Sequence, residues 1–337
     1  MAADFRRRHG PTARRGGRRG PRIARTVLLV AGAAAVIALF APGITAMSSS
    51  TRRGPAAGVP LSPATMATGA CVAFDPTHGD NHRTVFLDAG HGGIDPGGVG
   101  TTQSGRAVHE SDVNLAVELD AMALLRAQGY RVVVSRTLDS TVVRLTPADM
   151  SSAGLLSVQG SHDDVVARDA CADLAHADAL VGIYMDAGAS TQNAGSVTLY
   201  DTARPFAAAN LRLASLLQAD VVSAMNAQGW QIPNDGALPD GGFGSSVGDP
   251  AAGGLAALAA GYDHLLLIGP PLPGYLATPS LMPGAVIEPL YLTDPFEGSI
   301  AATASGQQVI ARGIATAAEQ FLAPPPKPGP PPTAAAG

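Results

Sequence analysis

Between Thr84 and Leu322 short apolar runs alternate with longer amphipathic stretches, and this alternation constrains the fold of the 337-residue chain more than any other feature. Thr84 to Asp88 (TVFLD), Tyr130 to Ser135 (YRVVVS), Ala179 to Asp186 (ALVGIYMD), Ser196 to Tyr200, His264 to Ile268 and Ala285 to Leu292 read as strands. Helical spacing runs over Glu110 to Gln128, about Val165 to Ala175, Ala207 to Gln228 and about Ser305 to Leu322. The first of these carries Val113, Val117, Leu124 and Leu125 on one stripe and stops at Gly129. Such an order predicts the α/β class: a single three-layer domain, its mainly parallel twisted sheet flanked by helices. A glycine- and proline-rich stretch from about 230 to 260 reads as a surface excursion.

The two ends are different material. Arg6, Arg7, Arg8, Arg14, Arg15, Arg18, Arg19, Arg22 and Arg25 supply nine of the 22 basic residues, and Asp4 is the one acid among them. Val27 to Phe40 follows, fourteen residues without a charge, then Pro42 and small residues through Ala46. A basic flank before a short apolar run reads as a secretory signal peptide or a membrane anchor, and places the rest of the chain outside the cytoplasm, in the cell envelope or secreted. From residue 26 onward 13 basic residues face 26 acidic ones. A body that acidic excludes nucleic acid as a partner, because phosphate neutralisation requires clustered Lys and Arg. Cys71 and Cys171 are the only cysteines, and an even count in an exported chain suggests one disulfide, with two buried thiols as the alternative. The expected organisation is a basic segment plus signal or anchor over 1–47, a Ser/Thr/Gly/Pro-rich linker over 48–82, the α/β domain over 83–323 and a polyproline-type tail over 324–337.

In open α/β sheets functional groups gather at the carboxyl ends of the strands. There the sequence places His91, in Asp88-Ala89-Gly90-His91-Gly92-Gly93-Ile94-Asp95-Pro96-Gly97, then Tyr184 with Asp186, and Glu288 in Ile287-Glu288-Pro289. Glu110 opens the first helix, where a carboxylate also meets the helix dipole favourably. Taken singly, His91 is a loop-capping residue and Glu110 a first-turn carboxylate; Glu288 in an apolar strand is harder to read as inert, because an unpaired buried carboxylate is costly.

The order of these segments resembles the zinc-dependent N-acetylmuramoyl-L-alanine amidases of the LytC/AmiC type, over about residues 84–322. The segments that carry it are DAGHGGIDPGG, HESDVNL with Glu110 and Asn114, GYRVVVSRTLD from Gly129 to Asp139, Arg168 followed by Ala177 to Val181, and VIEPLYLTDPFE from Val286 to Glu297. The resemblance implies an exported enzyme whose partner is peptidoglycan and whose cofactor is Zn2+. His91 and Glu110 would be metal ligands and Glu288 the catalytic carboxylate that takes and returns a proton. Zinc held by three protein ligands with an open fourth position lowers the pKa of bound water to about 7. The bond cut would be the amide between the lactyl group of N-acetylmuramate and the first alanine of the stem peptide.

One position departs from the pattern. The third ligand of the family is a histidine at a strand end, and here the stretch reads Gly182-Ile183-Tyr184-Met185-Asp186. Tyr184 occupies the third position as a costly phenolate ligand, and Asp186, on the same strand face, is its substitute. His162 and His264 are more remote substitutes. A site without metal gives the second reading, a catalytically impaired peptidoglycan-binding or regulatory module. Arg136 and Arg168 read as structural ion-pair partners, and His109 and His176 as surface residues. Gly244-Ser245-Ser246-Val247-Gly248 matches a nucleophile pattern but has no strand before it, so a hydrolase using Ser246 is remote.

Overall fold

The computed structural model describes residues 58–62, 64–244 and 248–323. The basic and apolar N-terminal segment, the proline-rich tail and Ser245 to Val247 lie outside the described residues. In chain order the first elements are β1 (Val59–Pro60), β2 (Ala70–Phe74), β3 (Thr84–Ala89), β4 (Val99–Thr101), β5 (Ala107–His109), α1 (Glu110–Ala127), β6 (Arg131–Arg136) and α2 (Val158–Leu174). They continue with β7 (Ala179–Ile183), β8 (Ser196–Tyr200), α3 (Ala207–Asn226), β9 (Asn234–Pro239), α4 (Gly254–Gly261), β10 (Gly284–Glu288), α5 (Pro295–Ala301) and α6 (Ala304–Leu322).

Eight strands form one sheet in the order β1-β2-β6-β3-β7-β10-β8-β9. β6, β3, β7 and β10 are parallel, so their carboxyl ends share one edge. These central strands are buried on both faces and accordingly read as unbroken apolar runs. β2 and β8 flank them antiparallel, and β9 runs parallel to β8. One face packs on α1, α3 and α6 through Leu87, Val134, Leu125, Leu217 and Ile314. The other holds Phe86, Val133, Leu180 and the Cys71–Cys171 disulfide, beneath α2 and the 265–286 segment. The layered α/β architecture is the expected one.

Three expectations are corrected. The linker read over 48–82 contains β2, all five of whose residues are buried and all but Cys71 paired to β6; its ACVAF run is short and bordered by turn-forming residues, which masks it in the sequence. His264 to Ile268 is not a strand but a turn, in which Ile268 and Gly269 donate back to the Leu265 carbonyl at 3.2 and 2.8 Å. Leu267 and Ile268 are buried by folding onto the sheet rather than by pairing with it. The excursion at 230–260 is partly structured, since it supplies the edge strand β9 and the helix α4. Among the described residues no helix is long and apolar enough to cross a membrane.

Candidate active site

His91, Glu110, Tyr184, Asp186 and Glu288 line one cleft of about 600 Å³. The topology explains the convergence: β3, β7 and β10 are neighbours, and each delivers a chemical group where it ends. Glu110 arrives separately, because the β4–β5 hairpin turns the chain back so that α1 opens against the β3 turn. The opposite wall of the cleft is apolar, with Leu155, Leu156, Phe243 and Leu265.

His91 holds φ at 60°, left-handed space that a side chain enters only when its surroundings impose it. Arg168 imposes it in part, donating to the His91 carbonyl at 2.9 Å. The Nδ1–H of His91 donates to Asp95 Oδ2 at 2.8 Å, and Nε2 then faces Glu110 Oε2 at 3.3 Å. Glu110 is 3% exposed and its carboxylate is fixed by backbone donors, Gly98 N–H to Oε2 at 2.7 Å and Met185 N–H to Oε1 at 3.0 Å. Burial opposes a charge on His91, but the Glu110 and Asp95 carboxylates on either side push its pKa up from 6.5 to about 10. Burial likewise opposes the charge on Glu110, yet His91 and the two backbone donors hold it below the usual carboxylate range. The space between Nε2 and Oε2 therefore calls for a positive charge, a proton or a metal ion.

The pair fits zinc on three counts. Two ligands about 2.0 Å from a tetrahedral ion lie roughly 3.3 Å apart, the separation seen here. An imidazole whose outer nitrogen donates to a carboxylate is the usual orientation of a metal-bound histidine. Finally, a Cβ on Gly97 would stand 2.7 Å from both Glu110 Oε2 and the His91 ring, so the glycine keeps that space open.

Tyr184 belongs to a different network. Its hydroxyl donates to Asp88 Oδ2 at 3.1 Å, and Asp88 pairs with Arg168 at 2.7 Å. Arg168, 1% exposed, also pairs with Asp164 at 2.8 Å and donates to the Ala89 carbonyl. Asp186 is 3% exposed and its Oδ2 has no hydrogen-bond partner. Burial pushes Asp186 up to about 6. Glu288 is raised well above its ordinary value by burial, with Asp186 and Glu110 adding repulsion.

The remaining candidates lie elsewhere. His162 spends both ring nitrogens on Asp163 and on the Tyr275 carbonyl, and His264 lies between Asp201 and Asp240, so neither faces the cleft. Arg168 is the structural ion-pair residue the sequence suggested. Arg136 is not: it is fully buried and donates to the carbonyls of Ala89, Leu138, Gly90 and Ser111. His109 and His176 are exposed. Sequence reasoning gave no role to Asp95 and Gly97; the signal was the spacing itself, a carboxylate four residues beyond the histidine in a glycine-rich turn.

A curated relative, an uncharacterised protein YqiI of Bacillus subtilis, is 40% identical over 67 residues, 20% of this chain and 29% of that protein. The match thus spans less than a third of that relative's length. Among solved structures, the CwlD amidase of Clostridioides difficile, in complex with the GerS lipoprotein, superposes with a TM-score of 0.51 at 20% identity, over 71% of this chain and 98% of that one. Cwp6 of Clostridium difficile gives 0.50 at 18% identity, over 72% of this chain and 29% of that one. Both likenesses concern the fold. The family profile described as N-acetylmuramoyl-L-alanine amidase matches residues 85–320, which include β3, the opening of α1, the end of β7 and β10. Matched over most of its length and folded accordingly, the chain belongs to the N-acetylmuramoyl-L-alanine amidase family.

Proposed function

We propose that the chain is an exported peptidoglycan hydrolase that cleaves the amide between the lactyl group of N-acetylmuramate and the first alanine of the stem peptide, with zinc as cofactor. The observation that carries this reading is the 3.3 Å approach of His91 Nε2 to Glu110 Oε2 inside the shared cleft. His91 and Glu110 would hold the ion. Asp186 lines the same cleft and is the third ligand in this reading, which requires it to move in, since no third carboxylate or imidazole atom among the described residues lies within 4.8 Å of both; Tyr184 is not a ligand, since its hydroxyl serves Asp88. Zinc supplies Lewis-acid activation of water and of the scissile carbonyl.

The protein's own groups do the rest. Asp95 accepts from Nδ1 and fixes the His91 ring so that Nε2 points at the site, where an ion would take the place of its proton. Gly98 and Met185 lock the Glu110 carboxylate in place. With a bound cation offsetting the repulsion from Asp186 and Glu110, Glu288 would be a carboxylate that takes the proton from the attacking water and returns it to the departing amine of alanine. The apolar wall with Leu155, Leu156 and Phe243 shields the reacting amide from bulk water. In this reading the N-terminal segment directs export, as a signal peptide or as a membrane anchor.

Digestion of purified sacculi with mass analysis tests the proposal. Stem peptides with a free alanine amine are the expected products, lost in His91→Ala and Glu288→Gln. Intact sacculi that nevertheless bind the protein would instead favour the second reading, a peptidoglycan-binding module. What favours that alternative is the engagement of Tyr184 with Asp88, which takes the family's third ligand position out of the site.

A further inference from the structure

Among the described residues one group of His and carboxylate residues brings three ligand atoms within 4.8 Å of one another, and it lies outside the cleft: Asp201, Asp240 and His264. Their meeting follows from topology. β8 runs antiparallel to β10 and β9 parallel to β8, so Asp201 after β8 and Asp240 after β9 emerge at the end of the sheet opposite Glu288. The turn that replaces the expected strand at 264–268 then brings His264 over both.

Each carboxylate has one oxygen fixed by the main chain. Asp201 Oδ1 accepts from the N–H groups of Ala203 and Arg204 at 2.8 and 2.7 Å, and Asp240 Oδ2 accepts from Leu265 N–H at 3.0 Å. The other two oxygens turn toward the same imidazole nitrogen: His264 Nδ1 lies 3.0 Å from Asp201 Oδ2 and 3.2 Å from Asp240 Oδ1. The hydrogen bond of Nδ1 runs to Asp240, and Asp201 Oδ2 is left buried with no hydrogen bond, on a residue that is 0% exposed. No Arg or Lys ion pair reaches either carboxylate among the described residues; the neighbouring Arg204 guanidinium donates to the carbonyls of Gly269 and Ser280 instead.

A dehydrated carboxylate oxygen without a donor is costly, and a cation in the shared space removes that cost. Separations of 3.0 and 3.2 Å approach the roughly 3.3 Å edge of a tetrahedron with ligands at about 2.0 Å. His264 is 25% exposed, which leaves a side open for an ion to enter and for a fourth ligand from solvent. One imidazole nitrogen with two carboxylate oxygens is a donor set for a borderline divalent ion such as zinc.

We propose that Asp201, Asp240 and His264 bind a zinc ion, as a structural clasp separate from the His91–Glu110 pair. The clasp ties the ends of β8 and β9 to the segment from which Phe243 and Leu265 reach the wall of the cleft. It fixes the wall against which substrate lies without touching the reacting bond.

Zinc content of the full chain after chelation and equilibrium dialysis against zinc separates the two sites. His91→Ala, which disables the cleft pair, is expected to retain about one zinc per chain. His91→Ala combined with Asp240→Asn is expected to retain none. Asparagine still accepts from Leu265 N–H, and circular dichroism confirms folding; His264→Gln replaces it should that variant misfold. A zinc-free His91→Ala protein, or one zinc persisting after Asp240→Asn and His264→Gln, would overturn the clasp. Failure of the cleft to bind zinc changes the wild-type content from about two to about one and leaves the His91→Ala result as it is. Cobalt substitution in His91→Ala gives a second readout, visible absorption bands of a tetrahedral ion that vanish in His264→Gln.

Discussion

The Tyr184 hydroxyl donates to Asp88 Oδ2 at 3.1 Å, at the point where β3 and β7 end side by side. Tyrosine thus spends its one polar atom on the buried Asp88–Arg168 pair rather than on the proposed ion site beside it. Tyr184→Phe is expected to leave zinc affinity within about two-fold of wild type, while removing one buried hydrogen bond worth about 1 kcal/mol. Calorimetric zinc titration together with urea unfolding checks both halves. A drop of ten-fold or more in affinity would restore Tyr184 as a ligand. Tyr184→His should raise affinity, since imidazole competes for the ion without deprotonating at high pH.

Arg168 holds the turn after β3 from behind. It pairs with Asp88 and Asp164 and donates to the carbonyls of Ala89 and His91, all while 1% exposed. Removing it strands two carboxylates in the interior, so Arg168→Met is expected to cost about 3–5 kcal/mol in denaturant unfolding. Arg168→Lys should recover little of this, because a point charge cannot serve two carboxylates and two carbonyls in fixed directions.

What the sequence made legible, and what it hid, divides along physical lines. Strands buried on both faces, such as Thr84–Ala89 and Ala179–Ile183, announce themselves as apolar runs, and the groups at their ends could be read from that alone. Ala70–Phe74 was hidden because its neighbours are turn-formers and its partner β6 is remote in sequence. His264 to Ile268 looked like a strand because burial, as at Leu267 and Ile268, and not pairing sets hydrophobicity. At the site, residue types gave His91, Glu110 and Glu288, but partner choice is three-dimensional. Nothing local says that Tyr184 turns to Asp88, or that Asp201 and His264 meet across 63 residues of chain.

Gly97 guards the space between the two proposed ligands. Its φ is 67°, and a Cβ there would stand 2.7 Å from Glu110 Oε2 and from the His91 ring. Gly97→Ala therefore meets both backbone strain and collision at the ion position. The expected outcome is a folded protein whose cleft binds zinc at least ten-fold more weakly, with sacculus cleavage falling in parallel. Circular dichroism and zinc titration on the same sample separate this from unfolding.

The Cys71–Cys171 disulfide joins β2 to α2 across a sequence separation of 100 residues. In the chain-entropy view, closing a loop of that size restricts the unfolded chain by up to about 4.7 kcal/mol. Both sulfurs are in the core, so Cys171→Ala with Cys71→Ala keeps the packing nearly intact and isolates the cross-link. Unfolding free energy is expected to fall by about 3–5 kcal/mol, and the oxidised wild type should lose a similar amount on reduction.

Glu297 offers a pH test independent of the proposed ion site. The residue is 1% exposed and staples two loops to α5, its Oε1 accepting from Gly195 N–H at 2.9 Å and its Oε2 from Tyr291 N–H at 2.7 Å. Burial without a cationic partner pushes its pKa from 4.5 up to about 8. An acid raised on folding binds more protons in the native than in the unfolded state, so stability falls as pH rises. The contribution is fully present below about 4.5 and is lost progressively until pH passes about 8. Glu297→Gln, which cannot ionise, is expected to flatten that slope. The stability difference between mutant and wild type should shift by about 3–5 kcal/mol in the mutant's favour between pH 4.5 and pH 8. Urea unfolding of both proteins across this range measures it, and parallel curves would show that Glu297 is already ionised in the native protein at low pH.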